Sequence, residues 1–380
     1  MDIFEGTPGP GRSPVGGHCT KSGTTRFVQR HAQGAVPEHF RQSRDGIRLS
    51  SIGLGTYLGE PDDATDLRYE AALKLALSLG CNVIDTAINY RFQRSERAIG
   101  MGLSAALAAG LISRDEVFVS TKGGFISFDG GWPMHPDEWI NETFVSSGIC
   151  QPGDFVKGHC MAPAYLRHQI GWSRRNLGLE TIDLYYIHNP EGQLAAVGAP
   201  EFARRMRRVF EELEAAVDRA EIVAYGTATW NGYRRPPTAS DHLSLEAMVK
   251  LAREVGGEGH HFRAVQLPVN MAMPEAFARP TQMWKYEMRS LLQAAMDQDI
   301  TVFGSASLLQ SKLASDLPDE VRLRLPGCDT DAQRALQFTR SLPGITTALV
   351  GMSSVEHVRE NLVLTALPPL DPGAAAGVLR

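Results

Sequence analysis

The feature of this sequence that most restricts its fold is an eightfold alternation of short apolar segments with helical patterns. Each apolar segment has the length and composition of a buried strand, and a longer helical stretch follows it. The expected strands are LSSIGLG (49–55), NVIDTA (82–87), EVFVSTK (116–122), IDLYYIH (182–188), EIVAYGTA (221–228), RAVQLPVN (263–270), ITVFGSA (300–306) and TTALVG (346–351). The expected helices cover 65–79, 95–109, 163–177, part of 200–219, 244–255, 286–297, 329–340 and 354–366. Eight such units predict a single-domain α/β fold, the closed (β/α)8 TIM barrel, because open doubly wound sheets more often stop at five or six strands.

The segments on either side of the expected barrel, which spans 44–367, differ from it in composition. Residues 1–40 mix Gly, Pro, Ser, His and Arg with little apolar periodicity, which predicts a disordered N-terminal arm. Residues 368–380 are expected to form a C-terminal tail.

A long insertion separates the third strand from its helix. About forty residues follow Lys122 before position 163, whereas connections inside a compact domain rarely exceed ~15. The insertion is rich in aromatic residues, namely Phe125, Phe128, Trp132, Trp139, Phe144 and Phe155. It leaves the carboxyl end of its strand, where the active sites of barrels lie. We interpret it as a substrate lid, with a structural or oligomer contact as the alternative.

Composition limits the partners and the compartment. The net charge is only −5 over 380 residues, and no apolar run approaches the ~20 residues of a membrane span. Neither a nucleic-acid nor a membrane partner is therefore expected. The first residues lack the basic flank and apolar core of a secretion signal. Five widely spaced cysteines without a CxxC pair suit free thiols in the cytoplasm and show no zinc-site spacing, so no metal is expected.

Three consecutive expected strands end on polar residues. Asp85 follows the apolar part of the second strand, Lys122 ends the third and His188 ends the fourth. In a parallel barrel these ends emerge on one rim, about 4.8 Å apart from strand to strand. Tyr90 lies in the loop after the second strand, so four titratable groups can converge on that rim. The alternative is an ion pair that braces the rim, with a hydrogen-bonded core histidine.

Such a set supports proton transfer to or from an oxygen atom. A free tyrosine has a pKa of ~10, and a nearby ammonium is expected to lower that pKa toward the working range. A carboxylate would hold the ammonium, and an imidazole would orient a carbonyl or help to relay the proton. The site has no electron sink of its own, so redox chemistry would need a cofactor.

These residues resemble the aldo-keto reductases. DTAINY is similar to the family's Asp-Thr-Ala…Tyr segment, STK to its strand-three lysine and IDLYYIHNP to its strand-four histidine. The resemblance implies a barrel that binds NADP(H), less often NAD(H), and passes hydride to or from an aldehyde or ketone carbon. It also implies that Tyr90 is the general acid/base, Lys122 tunes its pKa, Asp85 pairs with Lys122 and His188 orients the carbonyl.

The resemblance also implies cofactor contacts along the same rim. The implied contacts are Gly55, Thr56, Tyr57, Asp85, Thr229, Gln266, Ser305, Gly351, Glu360 and Asn361. Ser305 stands where the family usually places a tyrosine that stacks on the nicotinamide, and Trp230 or an aromatic of the insertion is a candidate substitute. Phe125, Trp132 and Trp230 are the candidate substrate-pocket residues.

Two cofactor signals leave alternatives open. Gly351 and His357 stand where a lysine and an arginine commonly hold the 2′-phosphate, so NAD(H) is possible as well as NADP(H). GLGTYLG (53–59) followed by Asp85 mimics a dinucleotide fingerprint. However, EPDD separates its glycines from the next helix, and the acid falls later than the ~20 residues expected.

The leading hypothesis is therefore an NAD(P)(H)-dependent oxidoreductase that interconverts a carbonyl (aldehyde, ketone or sugar) and its alcohol, with a small molecule as its partner. The alternative is a non-catalytic nucleotide-binding regulatory subunit of the same fold. A cofactor-independent isomerase that uses Lys122 and Tyr90 is a third possibility.

Overall fold

Eight parallel strands close into a barrel in the computed structural model, which describes residues 13–379. The strands are β1 Ile52–Gly55, β2 Val83–Asp85, β3 Phe118–Gly123, β4 Ile182–His188, β5 Ile222–Ala228, β6 Phe262–Pro268, β7 Thr301–Ser305 and β8 Ile345–Gly351. Each strand pairs with the next one along the chain, and β8 pairs with β1 to close the ring. The predicted TIM barrel is confirmed.

A helix follows each strand and covers the outside of the barrel. These helices are α1 Asp63–Ser78, α2 Arg94–Ala108, α3 Pro163–Leu177, α4 Ala199–Asp218, α5 Leu245–Gly256, α6 Leu291–Asp297, α7 Asp331–Ser341 and α8 Val355–Leu362. Side chains accept backbone N–H groups where several helices begin, as Asp62 does before α1 and Ser244 before α5. Such caps satisfy amides that have no partner inside the helix, and they fix where each helix starts.

Short helical segments occupy several connections. They are Pro37–His39, Arg114–Glu116, Glu191–Val197, Gly257–Gly259, Glu275–Ala278, Asp319–Arg324, Val363–Ala366 and Pro372–Gly377. The last of these lies in the segment expected to be a tail. No helix within residues 13–379 has both the length and the apolar character needed to cross a membrane.

A hairpin formed by Phe40–Gln42 and Arg48–Ser50 lies next to the amino ends of the strands. Its Leu49 is buried among side chains of the barrel interior, including Val83, Leu184 and Phe303. The Asn82 amide side chain, just before β2, accepts the Ser50 N–H at 2.9 Å. The hairpin therefore covers the amino end of the barrel.

The segment before this hairpin differs from the expected disordered arm. Residues 1–12 lie outside the described residues, but Lys21–His31 forms a helix that Thr20 caps. Phe27 is fully buried in the core, and the Cys19 N–H donates to Asp183 at 2.6 Å. One buried aromatic in a polar helix produces little hydrophobic periodicity, which is why the pattern predicted disorder.

The expected helix 286–297 is shorter than predicted. A hairpin of Gln282–Trp284 and Glu287–Arg289 precedes α6, with Lys285 and Tyr286 at positive φ in its turn. The helix begins only after Ser290, whose side chain accepts the Gln293 N–H. The charged residues before Ser290 do not distinguish a hairpin from a helix by their spacing.

The insertion after β3 is compactly folded. It contains the helix Pro136–Ile140, a π-helical turn over Asn141–Val145, the 3-10 turn Pro152–Asp154, and a hairpin of Phe155–Val156 and His159–Cys160. Phe144 is fully buried and contacts the rings of Trp139 and Tyr165. Phe144 and Phe155 therefore attach the insertion to α3 through the ring of Tyr165.

Replacement of Phe27 tests whether the N-terminal helix belongs to the folded core. Phe27→Ala should lower the free energy of unfolding by about 3–5 kcal/mol, because it removes a fully buried ring. The matched control is Tyr286→Ala, which removes a fully exposed ring and should change stability by less than about 0.5 kcal/mol. Urea unfolding measures both. Equal, small effects would show that the helix is not part of the core.

Candidate active site

A cavity of about 330 Å³ opens at the carboxyl ends of the strands. Strand ends and the loops that follow them supply its walls. The lining residues are Gly55, Thr56, Tyr57, Leu58, Asp85, Asn89, Tyr90, Phe125, His188, Asn189, Ala228, Thr229, Trp230, Gln266, Ser305, Ala306, Ser307, Leu308, Gln310, Ser311, Leu349, Val350 and Gly351. Three of the four residues expected to be catalytic are among them, and Lys122 lies directly behind.

A buried ion pair lies at the floor of the cavity. Lys122 Nζ is 2.6 Å from Asp85 Oδ2, and the lysine side chain has no exposed surface. Parallel pairing of β2 with β3 places the two strand ends side by side. The ammonium also donates to the Thr86 carbonyl at 2.7 Å. Burial by itself lowers the pKa of Lys122, but Asp85 and Tyr90 outweigh it, so the net pKa is raised and the amine is charged.

The other oxygen of Asp85 is also engaged. Oδ1 accepts from Ser120 Oγ at 2.9 Å and from Gln266 Nε2 at 2.7 Å. Gln266 comes from β6 and reaches across the barrel to do so. The carboxylate is therefore fixed on both sides and can hold the ammonium in one position.

The ring of Tyr90 lies against this pair. Lys122 Nζ is 4.8 Å from the ring centroid of Tyr90, and the His188 ring centroid is 5.9 Å from it. Tyr57 covers another side, with a centroid distance of 5.1 Å. The structure thus brings the phenol, ammonium, carboxylate and imidazole together at one cavity.

The pKa of Tyr90 departs from the sequence-based expectation. Burial raises this pKa, Lys122 lowers it and Asp85 raises it again, and the net direction is upward. The expected lowering by the ammonium is present but smaller than the effect of burial. The phenol therefore holds its proton at neutral pH.

His188 is a neutral imidazole in this site. Burial lowers its pKa well below the usual range, and the charges of Lys122 and His159 act in the same direction. Its Nδ1 is buried without a hydrogen-bond partner in the described chain, and its backbone carbonyl accepts from His159 Nε2 at 2.7 Å. A neutral imidazole can donate one N–H to a ligand oxygen without adding charge.

The loop that presents Tyr90 has an unusual backbone. Arg91, Phe92 and Gln93 follow one another at positive φ, which is uncommon for residues other than glycine. Arg91 Nη2 binds Asp66 Oδ1 at 2.5 Å, and its Nε donates to the Glu60 carbonyl. Arg91 is therefore a positioning residue that the sequence motifs did not indicate, although its place beside Tyr90 was a signal.

A second missed residue positions the loop after β5. Glu191 Oε1 accepts the backbone N–H groups of Trp230 and Asn231 at 2.7 and 3.0 Å. Trp230 lines the cavity, so this buried carboxylate fixes one of its walls. Sequence spacing could not reveal the contact, because Glu191 is some forty positions earlier in the chain.

Most residues expected to contact a coenzyme lie on one rim. Gly55, Thr56, Tyr57, Thr229, Gln266, Ser305 and Gly351 all line the cavity. Glu360 and Asn361 lie on α8 outside it, with the Glu360 carbonyl accepting from Gln333 Nε2.

Two observations test whether the rim fits a nicotinamide coenzyme. Thr229 Oγ1 is buried at the cavity with no partner among the described residues and is free to bond a ligand, whereas Asn361 Oδ1 is also unpartnered but lies outside the cavity. After β7, Ala306, Gln310 and Ser311 line the cavity at positive φ. Turns of this kind orient backbone amides toward anions. The rim therefore has a free hydroxyl and a turn of this kind, features that are compatible with a ligand that has amide and phosphate groups.

The structure separates the three candidate substrate-pocket residues. Phe125 and Trp230 line the cavity. Trp132 does not: its surface is 71% exposed, and its ring contacts Phe92 and Phe128 instead. Phe125 is the one aromatic of the insertion that reaches the cavity.

Comparisons with known proteins agree with this architecture. A crystal structure of an aldo-keto reductase from Klebsiella pneumoniae in complex with NADPH superposes with a TM-score of 0.60 at 20% identity, over 89% of this chain and 94% of that one. At this identity the likeness establishes the fold.

Proteins with similar sequences align with different shares of this chain. The NADH-specific methylglyoxal reductase of Escherichia coli (strain K12) is 29% identical over 147 residues, 37% of this chain and 39% of that protein. The chain thus spans about two fifths of that relative's length. A putative voltage-gated potassium channel subunit beta of Schizosaccharomyces pombe is 22% identical over 361 residues, 90% of each chain.

The model of the aldo/keto reductase family matches residues 51–243. This range covers just over half of the 380 residues and includes Asp85, Tyr90, Lys122 and His188. The chain belongs to the aldo/keto reductase family.

Proposed function

We propose that this protein is an NAD(P)(H)-dependent oxidoreductase that interconverts an aldehyde, ketone or sugar carbonyl and its alcohol, with Tyr90 as the general acid/base. The observation that supports this most is the buried Lys122 ammonium, held by Asp85 and 4.8 Å from the Tyr90 ring, at the floor of an open cavity. If the Lys122–Asp85 ion pair only stabilised the rim, it would not need a phenol and an imidazole facing that cavity.

Tyr90 acts as the proton donor when a carbonyl is reduced. Its raised pKa keeps the phenol protonated at neutral pH, so the proton is available for the carbonyl oxygen. Lys122 stabilises the phenolate that remains after transfer. In the reverse direction the phenolate accepts the alcohol proton, so oxidation is favoured at higher pH.

His188 orients the carbonyl. The neutral imidazole offers an N–H to the same oxygen that receives the Tyr90 proton, and its lowered pKa keeps it neutral through the physiological range. His159 holds the His188 backbone through the carbonyl contact at 2.7 Å. The two donors thus define where the oxygen of the substrate lies.

The coenzyme-binding residues in this proposal are Gly55, Thr56, Tyr57, Asp85, Thr229, Gln266, Ser305, Gly351, Glu360 and Asn361. A nicotinamide coenzyme, when bound, supplies or accepts the hydride. Gln266 is already bonded to Asp85, so it links the rim to the ion pair. One relative is named as NADH-specific, and one similar structure was solved with NADPH. Neither Gly351 nor His357 is a lysine or an arginine that could hold a 2′-phosphate. NAD(H) is therefore a candidate coenzyme beside NADP(H).

The non-catalytic alternative has support from the relative named as a putative channel subunit. We favour catalysis because all four groups needed for proton transfer are present and converge. We also propose a cytoplasmic location, since the five cysteines are free thiols.

Tyr90→Phe tests the catalytic proposal. The variant should lose carbonyl reduction by at least about 100-fold, because it removes the proton donor and little else. Oxidation of NADH and NADPH, followed at 340 nm with aldehydes, ketones and sugars, measures the rate. Tyr286→Phe is the matched control, since that ring is fully exposed.

Coenzyme binding should persist in Tyr90→Phe, as quenching of tryptophan fluorescence would show. Coenzyme binding by the unmodified protein without turnover of any carbonyl would support the regulatory alternative. Absence of nucleotide binding would contradict both.

The lining of the cavity favours an uncharged carbonyl substrate. Of the described residues that line it, Asp85 alone has a formal charge, and both of its oxygens are engaged. An anionic group on the substrate would therefore meet no cationic side chain among the described residues of the cavity lining, which makes its burial costly. Asn89 Oδ1 is buried with no described partner, which suits a substrate hydroxyl.

Matched aldehydes test this preference. Glyceraldehyde should have a kcat/KM at least about tenfold above that of glyceraldehyde 3-phosphate, and butanal should exceed 4-oxobutanoate similarly, because an unpaired charge costs more than about 1.4 kcal/mol. Asn89→Lys should narrow both ratios by providing a cation beside Tyr90. Asn141→Lys, on the exposed surface of the insertion, should not. Equal rates for both members of each pair in the unmodified protein would contradict the preference but not the reductase activity.

A further inference from the structure

Two thiols meet inside the insertion. Cys150 Sγ lies 3.7 Å from Cys160 Sγ, and both residues are buried, at 2% and 0% exposure. All five cysteines fall within residues 13–379, and all are free thiols. The pair is not used in the proposed reaction.

The backbone holds both cysteines in place. The Cys150 N–H donates to the Phe144 carbonyl at 2.8 Å, next to the most buried ring of the insertion. The Cys160 N–H donates to the Gly124 carbonyl at 2.8 Å, where the insertion leaves β3. The thiol contact therefore lies between two segments whose backbones are fixed by hydrogen bonds.

A metal does not account for the arrangement. His159, the nearest candidate for a third ligand, has both ring nitrogens engaged, Nε2 with the His188 carbonyl and Nδ1 with Gln193. Two thiols alone make an incomplete zinc site. Their separation exceeds the ~2.05 Å of a disulfide by about 1.6 Å, a gap that side-chain rotation and a small backbone shift can close.

We propose that Cys150 and Cys160 form a reversible intramolecular disulfide when the protein meets a peroxide, and that this bond holds the insertion in its folded conformation. The peroxide converts one thiol to a sulfenic acid and releases water, and the second sulfur then displaces the hydroxyl as a second water. Two protons and two electrons leave the thiols, and the peroxide takes them up as it becomes two waters. A low-molecular-weight thiol restores both cysteines.

The surroundings determine how fast the bond forms. The contact with Cys160, and then burial, raise the pKa of the Cys150 thiol, so the closed insertion contains little thiolate. Oxidation consequently requires a brief opening of the insertion. Once formed, the bond closes the loop that contains His159, which contacts Phe125 and the His188 carbonyl, so it also fixes that wall of the cavity.

Peptide mapping of the full chain tests the proposal. Trypsin cuts after Lys122, Lys157 and Arg167, which places Cys150 and Cys160 in separate peptides, 123–157 and 158–167. After peroxide treatment, alkylation and non-reducing digestion, the two peptides should appear joined, at their summed mass less two hydrogens. Dithiothreitol should separate them.

Serine variants provide the controls. Cys328→Ser should still yield the joined peptides, whereas Cys150→Ser and Cys160→Ser should not. In the native protein, cleavage at the exposed Lys157 should be slower after oxidation than before. If peroxide leaves both thiols alkylatable, or takes Cys150 to sulfinic acid without joining the peptides, the proposal is wrong. The unmodified protein alone decides this, so the result does not depend on whether a variant folds.

Discussion

The buried ion pair between Lys122 and Asp85 is the constraint on which the rest of the site depends. An ammonium with no exposed surface is stable as a charge only beside a carboxylate, and here the N···O separation is 2.6 Å. Thr86 and Ser120 satisfy further bonds of the pair, and Gln266 ties it to the opposite side of the barrel. The barrel thus keeps the positive charge of Lys122 at one fixed position that solvent does not reach.

Closure of the barrel makes this arrangement possible. Parallel pairing in register puts the ends of β2, β3 and β4 on one rim, while the hairpin around Leu49 fills the other end. The loops after the strands position the remaining groups of the site. The loop after Tyr90 has three consecutive residues in left-handed conformations, and Arg91 anchors that loop to α1 through Asp66. The insertion contributes Phe125 and holds His188 through His159.

The fold and the core of the site could be predicted because their signals are local. Each strand is a short apolar run, and Asp85, Lys122 and His188 occupy equivalent ends of consecutive strands. The direction in which the pKa of Tyr90 shifts could not be predicted, because it depends on whether burial raises that pKa more than the Lys122 ammonium lowers it. Trp132 looked like a pocket residue from its position in the insertion, but packing turned it outward.

Contacts between distant parts of the chain were equally hidden. The Gln266 amide meets Asp85 across 181 positions, and the Cys19 N–H meets Asp183 across 164. Neither contact produces a repeating pattern. The helix Lys21–His31 was missed for the same reason, because Phe27 is stabilised by partners elsewhere in the sequence.

The central claim is that Lys122 and Asp85 act in opposite directions on the proton of Tyr90, and one titration tests it. The ¹³Cζ resonance of Tyr90 in [¹³Cζ]tyrosine-labelled protein, assigned with Tyr90→Phe, reports the pKa directly. We predict a midpoint above the usual ~10 in the unmodified protein, a higher one in Lys122→Met and a lower one in Asp85→Asn. An unchanged midpoint in both variants would contradict the account.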